Sequence, residues 1–229
     1  MTAHAWFVTG TDTGVGKTLA AQALLLRLRE SHARVVGMKP VAAGAEMQAD
    51  GHWSHEDVRA LQLASSIFAP SQLTNPYLLR AAVSPHIAAQ RDGVVIEIDR
   101  IVQACNALRA QADAVVVEGA GGFRVPLTDT RDGADLAVAL DLPVLLVVGL
   151  RLGCLSHALL AVEAIAARGL RLAGWIANRI DPAMSEQDAN LALLGARLPA
   201  PCLGDLPYHS PPDALFAAHC LQLTQEFLE

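Results

Sequence analysis

Ala5-Trp6-Phe7-Val8-Thr9 runs directly into Gly10-Thr11-Asp12-Thr13-Gly14-Val15-Gly16-Lys17-Thr18, and from there into a leucine-rich stretch that begins at Leu19. An apolar strand, a loop of glycines and small residues closing on Gly-Lys-Thr, and a helix together make a phosphate cradle. In such a loop the backbone N–H groups point inward, the lysine sits over the β- and γ-phosphates, and the threonine hydroxyl can ligate Mg2+. The spacing departs from the usual one, which places glycine at position 11; here Thr11 stands there and Gly10 comes one residue earlier. A lysine at a helix start opposes the helix dipole unless an anion compensates it, so Lys17 reads as a phosphate ligand. Asp12 adds negative charge where phosphates would sit. It is either a turn residue that orients the loop or an acceptor for a cationic substrate.

Working outward, strands alternate with helices. Arg34–Met38 predicts a second strand stopped by Pro40, Asp113–Glu118 a buried one, and Leu142–Val148 and Leu172–Asn178 two more. Helices are predicted from Lys17 to about Glu30, from near His55 to Phe68 carrying Leu61 and Leu63, and over 97–111, 133–139, 156–168 and 186–194. Residues 44–56 predict a mobile loop, and Asn75-Pro76-Tyr77 and Ser84-Pro85-His86 predict connections. This alternation predicts an α/β fold, a mostly parallel sheet with helices on both faces. With no internal repeat or linker, residues 1–229 predict one domain.

In such sheets ligands bind beyond the carboxyl ends of the strands. That rule selects Lys39, Glu118 with the glycines after it, the turn from Gly149 to Gly153, and Asn178. Lys39 closes an apolar strand, either to reach solvent or to neutralise a transferring phosphoryl group beside the loop. Glu118 closes a very apolar strand and suits Mg2+ as the acidic partner of a phosphate loop. Asp57 is a second metal candidate, or a helix-start residue. Asn178 suits amide recognition of a base, or a turn before Asp181-Pro182. His52 and His55 read as part of a solvated loop rather than a transition-metal site.

The 229 residues carry 17 Lys and Arg against 23 Asp and Glu, a formal charge of −6 without a basic block, which argues against nucleic-acid binding. Hydrophobic residues make up 52%, and the mean hydropathy is +0.33; buried parallel strands and a subunit interface absorb such an excess. No run of 18 apolar residues argues for a membrane span. The N-terminus lacks a basic, signal-like start, which predicts a cytoplasmic protein. The scattered Cys105, Cys154, Cys202 and Cys220 predict buried small hydrophobes in a reducing compartment.

Five segments in order then carry a resemblance. The loop from Gly10 to Thr18, Gly37-Met38-Lys39-Pro40-Val41, Val117-Glu118-Gly119-Ala120-Gly121-Gly122, Gly149-Leu150-Arg151-Leu152-Gly153-Cys154-Leu155-Ser156-His157 and Gly174-Trp175-Ile176-Ala177-Asn178 resemble the dethiobiotin synthetases, a P-loop NTPase-like family. The likeness runs from Trp6 to about Tyr208. It implies an ATP-dependent carboxylase of biotin biosynthesis that joins a diamine to CO2, a homodimer using Mg2+. Lys17, Lys39 and Thr11 are then implied in catalysis. Thr13, Gly14, Val15, Gly16, Lys17, Thr18 and Leu19 hold the triphosphate, with Thr18, Asp57 and Glu118 at the metal. Asn178 and the segment Gly204–Tyr208, Pro207 included, surround the adenine. Thr11, Asp12, Lys39, Pro126 and the turn Arg151, Leu152, Gly153 and Cys154 line the diamine site.

Two positions depart from the family pattern. Ala43 stands where a serine is common, and Arg151 where a lysine is common, so the charge survives while the donor changes shape. Two other functions share the fold. An amide-forming synthetase would need a glutaminase portion, for which the chain leaves no room. A partitioning-type nucleotide switch would carry a second lysine early in the loop, where Thr11-Asp12 stands, and a basic or amphipathic surface.

Overall fold

The computed structural model describes residues 3–228. In chain order its elements are β1 His4–Gly10, α1 Lys17–Leu28, β2 Val35–Met38, β3 Val41–Ala43, β4 Glu46–Met47, β5 Trp53–Ser54, α2 Glu56–Ala64, α3 Ser71–Thr74, β6 Tyr77–Leu79 and α4 Pro85–Asp92. The chain continues through α5 Ile98–Arg109, β7 Ala114–Glu118, α6 Gly133–Leu140, β8 Val144–Gly149, α7 Cys154–Ala167, β9 Leu172–Asn178, α8 Gln187–Arg197, β10 Cys202–Leu206, α9 Ala214–His219 and α10 Gln225–Leu228.

Six strands form one parallel sheet in the order β10-β9-β8-β1-β7-β2. Because side chains alternate along a strand, an all-apolar strand feeds both faces. Phe7, Val115, Val117 and Val144 pack under α4, α5 and α6, and further along the same face Leu146, Val148, Trp175 and Ala177 pack under α7 and α8. On the opposite face Trp6, Val8, Val116, Leu145 and Ile176 meet α1, α2, α9 and α10. Ala20, Ala21 and Ala23 let α1 lie close on the sheet, and Trp6 stacks on Phe227 at 5.1 Å between centroids.

The sheet inserts β7 between β1 and β2, and after β7 the chain crosses to the far side of β1. This topological switch opens a crevice at the carboxyl edge where Gly10, Met38 and Glu118 end their strands.

The structure corrects several sequence expectations. Helix α2 stops at Ala64 rather than Phe68, and Leu63 is exposed. Ser65 and Ser66 end it by turning to the free edge of β2: Ser65 Oγ accepts from Gly37 N (3.0 Å) and Ser66 Oγ from Val35 N (2.8 Å). Such side-chain bonds compete with helix propagation, and here they also blunt an open strand edge. The stretch 44–56 contains the small antiparallel pair β4–β5. The Asn75-Pro76-Tyr77 connection begins β6, which pairs with β3, and Ser84-Pro85 starts α4 with proline in its first turn. Residues 204–206 belong to strand β10, which Pro207 and Tyr208 follow. Cys105 and Cys154 are buried as expected, whereas Cys202 is exposed and Cys220 half-buried; all four are free thiols. No helix among the described residues is long and apolar enough to cross a membrane.

Candidate active site

The loop after β1 owes its path to three glycines. Gly14 and Gly16 have φ of 74° and 85°, the left-handed region that side chains avoid. A Cβ on Gly16 would fall 2.0 Å from Asn178 Nδ2. Gly10 explains the shifted spacing: a Cβ there would lie 2.6 Å from Val15 Cγ2, because Val15 folds back under the loop. Thr11 N, next along, donates to Val147 O at 3.0 Å and extends the pairing of β1 with β8. No side chain caps α1, so the N–H groups of its first turn face the crevice without an internal acceptor. Lys17 is buried, and its Nζ donates to Asp12 O at 3.0 Å. Burial and the nearby Lys39 lower its pKa to about 8.

Four further side chains converge beside it. Thr18 Oγ1 lies 2.7 Å from Asp57 Oδ1 and 2.9 Å from Glu118 Oε1. One hydroxyl proton cannot serve both carboxylates at once, so three hard oxygens face one point. Lys39 Nζ bridges the same carboxylates, 2.8 Å from Asp57 Oδ2 and 2.5 Å from Glu118 Oε1. Burial pulls Lys39 down, but Glu118 and Asp57 outweigh it and hold the ammonium above its ordinary value. Burial pushes Asp57 up; the Lys39 charge and the bonds from Lys39 and Thr18 win and keep it below the usual carboxylate range. Glu118 has no solvent exposure, burial raises its pKa, and its Oε2 has no hydrogen-bond partner. An orphaned, fully buried carboxylate oxygen beside a threonine and an aspartate suits a hard divalent cation.

The cluster forms the floor of a cavity of about 720 Å³, whose walls include Thr13, Gly14, Gly16, Val41, Ala43, His55, Ala82, Ser84, Gly121 and Val125. The sequence-predicted residues divide around it. Thr13, Gly14, Gly16, Lys17, Thr18, Lys39, Asp57 and Glu118 line it. Val15 is buried beneath the loop, and Leu19 is half-buried against the core on the α1 side of the sheet. Asn178 is buried and donates from Nδ2 to Val15 O at 3.0 Å, a brace for the loop from the end of β9. Pro207 is exposed just past β10. Val125, not Pro126, faces the cavity; Pro126 is exposed and bridges to Asp132. Arg151 forms an ion pair with Asp12, and Thr13 N donates to Asp12 Oδ1 at 2.7 Å. Leu152 points out with 92% exposure, Gly153 starts α7 with φ 95°, and Cys154 is buried among Leu146, Val148 and Ala158. The turn from Arg151 to Cys154 is thus joined to the phosphate loop through the Arg151–Asp12 pair.

Sequence reasoning missed three supports. Asn75 is buried and donates from Nδ2 to Lys39 O at 2.6 Å, fixing the backbone that presents Lys39. His55 caps α2. Arg179 joins Asp205 of β10 (2.7 Å) to Asp188 of α8 (2.6 Å), locking the strand ends next to Asn178. His52 is exposed beside Asp50, and no group of three or more His, Cys, Asp and Glu gathers for a metal among the described residues.

A parallel sheet with this glycine loop between first strand and first helix, and paired cations and carboxylates at its carboxyl edge, defines a P-loop nucleoside-triphosphate enzyme. A family model described as an AAA domain matches residues 4–214. The chain is 58% identical over 220 residues to the ATP-dependent dethiobiotin synthetase BioD of Aromatoleum aromaticum, covering 96% of this chain and 97% of that protein. It is 56% identical over 212 residues to the enzyme of the same name from Ralstonia nicotianae, covering 93% and 92%. The chain belongs to the dethiobiotin synthetase family. Among solved structures, the MinD cell division protein of Aquifex aeolicus is similar with a TM-score of 0.55 and 18% identity, over 96% of this chain and 88% of that one, a likeness of fold.

Proposed function

We propose that the chain makes dethiobiotin for biotin biosynthesis by joining 7,8-diaminopelargonic acid to CO2 with ATP, releasing ADP and phosphate. The observation that carries this reading is the convergence of Lys17 and Lys39 with Thr18, Asp57 and Glu118 at the floor of one cavity. Two buried cations beside a phosphate loop match a phosphoryl transfer in which the protein supplies position and charge rather than a covalent nucleophile.

One amine of the diamine takes up CO2 as a carbamate. A carbamate oxygen attacks the γ-phosphorus, ADP leaves, and a mixed anhydride forms. The second amine, held close, attacks the carbonyl carbon and expels phosphate, closing the cyclic urea with a large effective concentration. Lys17 steadies the γ-phosphate, while Lys39 faces both the carbamate and the transferring group. The backbone from Thr13 to Leu19 holds the triphosphate, and Thr11 and Asp12 receive the amine end. Thr18, Asp57 and Glu118 would hold Mg2+, which when bound supplies charge neutralisation at the phosphate oxygens. Asn178 and Pro207 would flank the adenine.

A homodimer belongs to the same reading. Helix α7 is rich in Leu, Val and Ala, yet only Cys154, Ala158 and Ile165 are buried, while Leu152 and Leu160 are exposed. A second copy on this face would cover them, bringing the Arg151–Cys154 turn toward the far end of the substrate, with Pro126 beside it. The whole chain acts as one catalytic domain in the cytoplasm, without a nucleic-acid or membrane partner. Its net charge of −6 and its unpaired cysteines favour this.

The test is ADP release with Mg-ATP and bicarbonate, with and without the diamine. Diamine-dependent release with a cyclic urea product is expected; basal hydrolysis indifferent to the diamine would overturn the reading in favour of a nucleotide switch. Lys39→Ala is expected to lower turnover by about 100-fold or more while leaving ATP binding nearly intact. Unchanged turnover would remove Lys39 from the chemistry.

A further inference from the structure

The excursion between Ala43 and His55 carries the β4–β5 pair and separates Lys39 from Asp57 in sequence. Its two ends are tied by one imidazole. His55 Nδ1 accepts from Asp57 N at 3.1 Å, and His55 Nε2 lies 3.2 Å from Ala43 O. A carbonyl oxygen only accepts, so Nε2 carries the hydrogen and Nδ1 presents its lone pair. The two bonds together select one tautomer, as an outer partner of a metal site commonly does. The ring side chain is 13% exposed and lines the same cavity as Ala43 and Asp57.

Helix N-caps are ordinarily Ser, Thr, Asp or Asn, whose short side chains reach the second or third N–H of the helix and nothing further. Histidine does that and spans to the opposite strand. The α2 N-terminus is thereby referenced to the end of β3, which continues the backbone of Lys39. Asp57 can then meet Lys39 and Thr18 at hydrogen-bond distance although no direct backbone pairing links α2 to that strand.

We propose that His55 is a positioning residue for the phosphoryl-transfer site: its imidazole, fixed in the Nε2–H tautomer, clamps the neck of the 43–55 excursion and holds Asp57 in register with Thr18 and Lys39. The proposal rests on Asp57 serving at the divalent-cation site described above.

Two substitutions separate the clamp from the cap. His55→Asn keeps an acceptor where Nδ1 stands and is a good N-cap, but does not reach Ala43. His55→Gln places an amide nitrogen near the Nε2 position, keeping the link to Ala43 without the cap. If His55 only capped α2, His55→Asn would match wild type throughout. The clamp instead predicts that His55→Asn keeps the wild-type melting temperature while Mn2+ binding in the presence of a non-hydrolysable ATP analogue weakens about 10- to 100-fold, with a similar loss of kcat and little change in KM for ATP. His55→Gln is expected to retain more of the Mn2+ affinity than His55→Asn while melting lower. Nitrogen-15 NMR of the wild-type imidazole at about pH 9, where an ordinary histidine is neutral, should show the Nε2–H tautomer. Wild-type Mn2+ affinity and kcat in His55→Asn, or an Nδ1–H tautomer in the wild type, would overturn the clamp. Asp57→Asn is the control. If it leaves Mn2+ affinity unchanged, the metal-site assignment fails; if it weakens binding while His55→Asn does not, only the clamp fails.

Discussion

Replacing Lys39 with methionine should destabilise the protein severely, for a reason distinct from catalysis. The ammonium is 5% exposed and sits 2.5 Å from Glu118, whose side chain is 0% exposed, and 2.8 Å from Asp57. Methionine fills similar volume, so little packing is lost. The variant instead strands a fully buried carboxylate whose remaining hydrogen bond comes from the Thr18 hydroxyl, shared with Asp57, with the Lys17 charge nearby. Breaking a buried ion pair from one side costs about 3–5 kcal/mol. For a chain of this size that corresponds to a fall in Tm of roughly 6 to 20 °C. The penalty should shrink at acid pH: without Lys39, burial and the neighbouring Asp57 both favour protonation of Glu118, and a neutral carboxyl is cheaper to bury. Urea unfolding of wild type, Lys39→Met, Glu118→Gln and the double variant measures this. The double variant should recover part of the loss, with a coupling of about 1–3 kcal/mol between the two positions. Additivity within about 0.5 kcal/mol, or a Lys39→Met variant as stable as wild type at neutral pH, would refute the buried-pair argument.

Other consequences are independent of that one. Lys17 titrates near 8 in the free protein, and a bound triphosphate would raise it; ATP binding should therefore take up protons at and above that pH, and affinity should fall as the lysine deprotonates. Calorimetry in two buffers of different ionisation enthalpy reads the uptake directly. The same depressed value lies below that of the unfolded chain, so Lys17 should contribute a rise in stability from about pH 8 toward its ordinary 10.5, visible in the difference between wild type and Lys17→Met. Gly16→Ala should weaken ATP binding, because it loads about 1–3 kcal/mol of strain on a left-handed residue and drives a methyl into Asn178; equilibrium dialysis equal to wild type would contradict it. Leu160→Glu on the exposed face of α7 should shift a dimer to monomer in sedimentation while leaving the fold intact by circular dichroism.

What the sequence revealed of this site followed from strands that announce their own ends. Mostly apolar runs leading into Gly10, Lys39 and Glu118 pointed to the carboxyl edge, and that edge is where the structure brings Lys17, Thr18, Lys39 and Glu118 together. Asp57 could be placed at a helix start by periodicity, but only the fold carried it 2.7 Å from Thr18, 39 residues away. Asn75, His55 and Arg179 were not legible. Each acts through a backbone carbonyl or a carboxylate on another element, and no local pattern encodes a partner that folding supplies. Leu63 misled for a related reason. The expected helix runs on past it to Phe68, but Ser65 and Ser66 pull the end of α2 to the edge of β2, and that side chain stands in solvent. For Asn178 the sequence points to amide recognition of a base; the structure adds that its Nδ2 braces the loop carbonyl of Val15, a contact across 163 residues.

The central claim is that the paired lysines activate a carbamate by phosphorylation, and the fate of one oxygen tests it most directly. With CO2 labelled with oxygen-18 and sampled before the label exchanges with water, ring closure on a phosphorylated carbamate leaves one labelled oxygen in the released phosphate and one in the urea carbonyl. Mass spectrometry of the phosphate should find that single label, formed only with the diamine present. Phosphate that instead takes its new oxygen from labelled water would mean that ATP is hydrolysed without activating the carbamate, and would contradict the account.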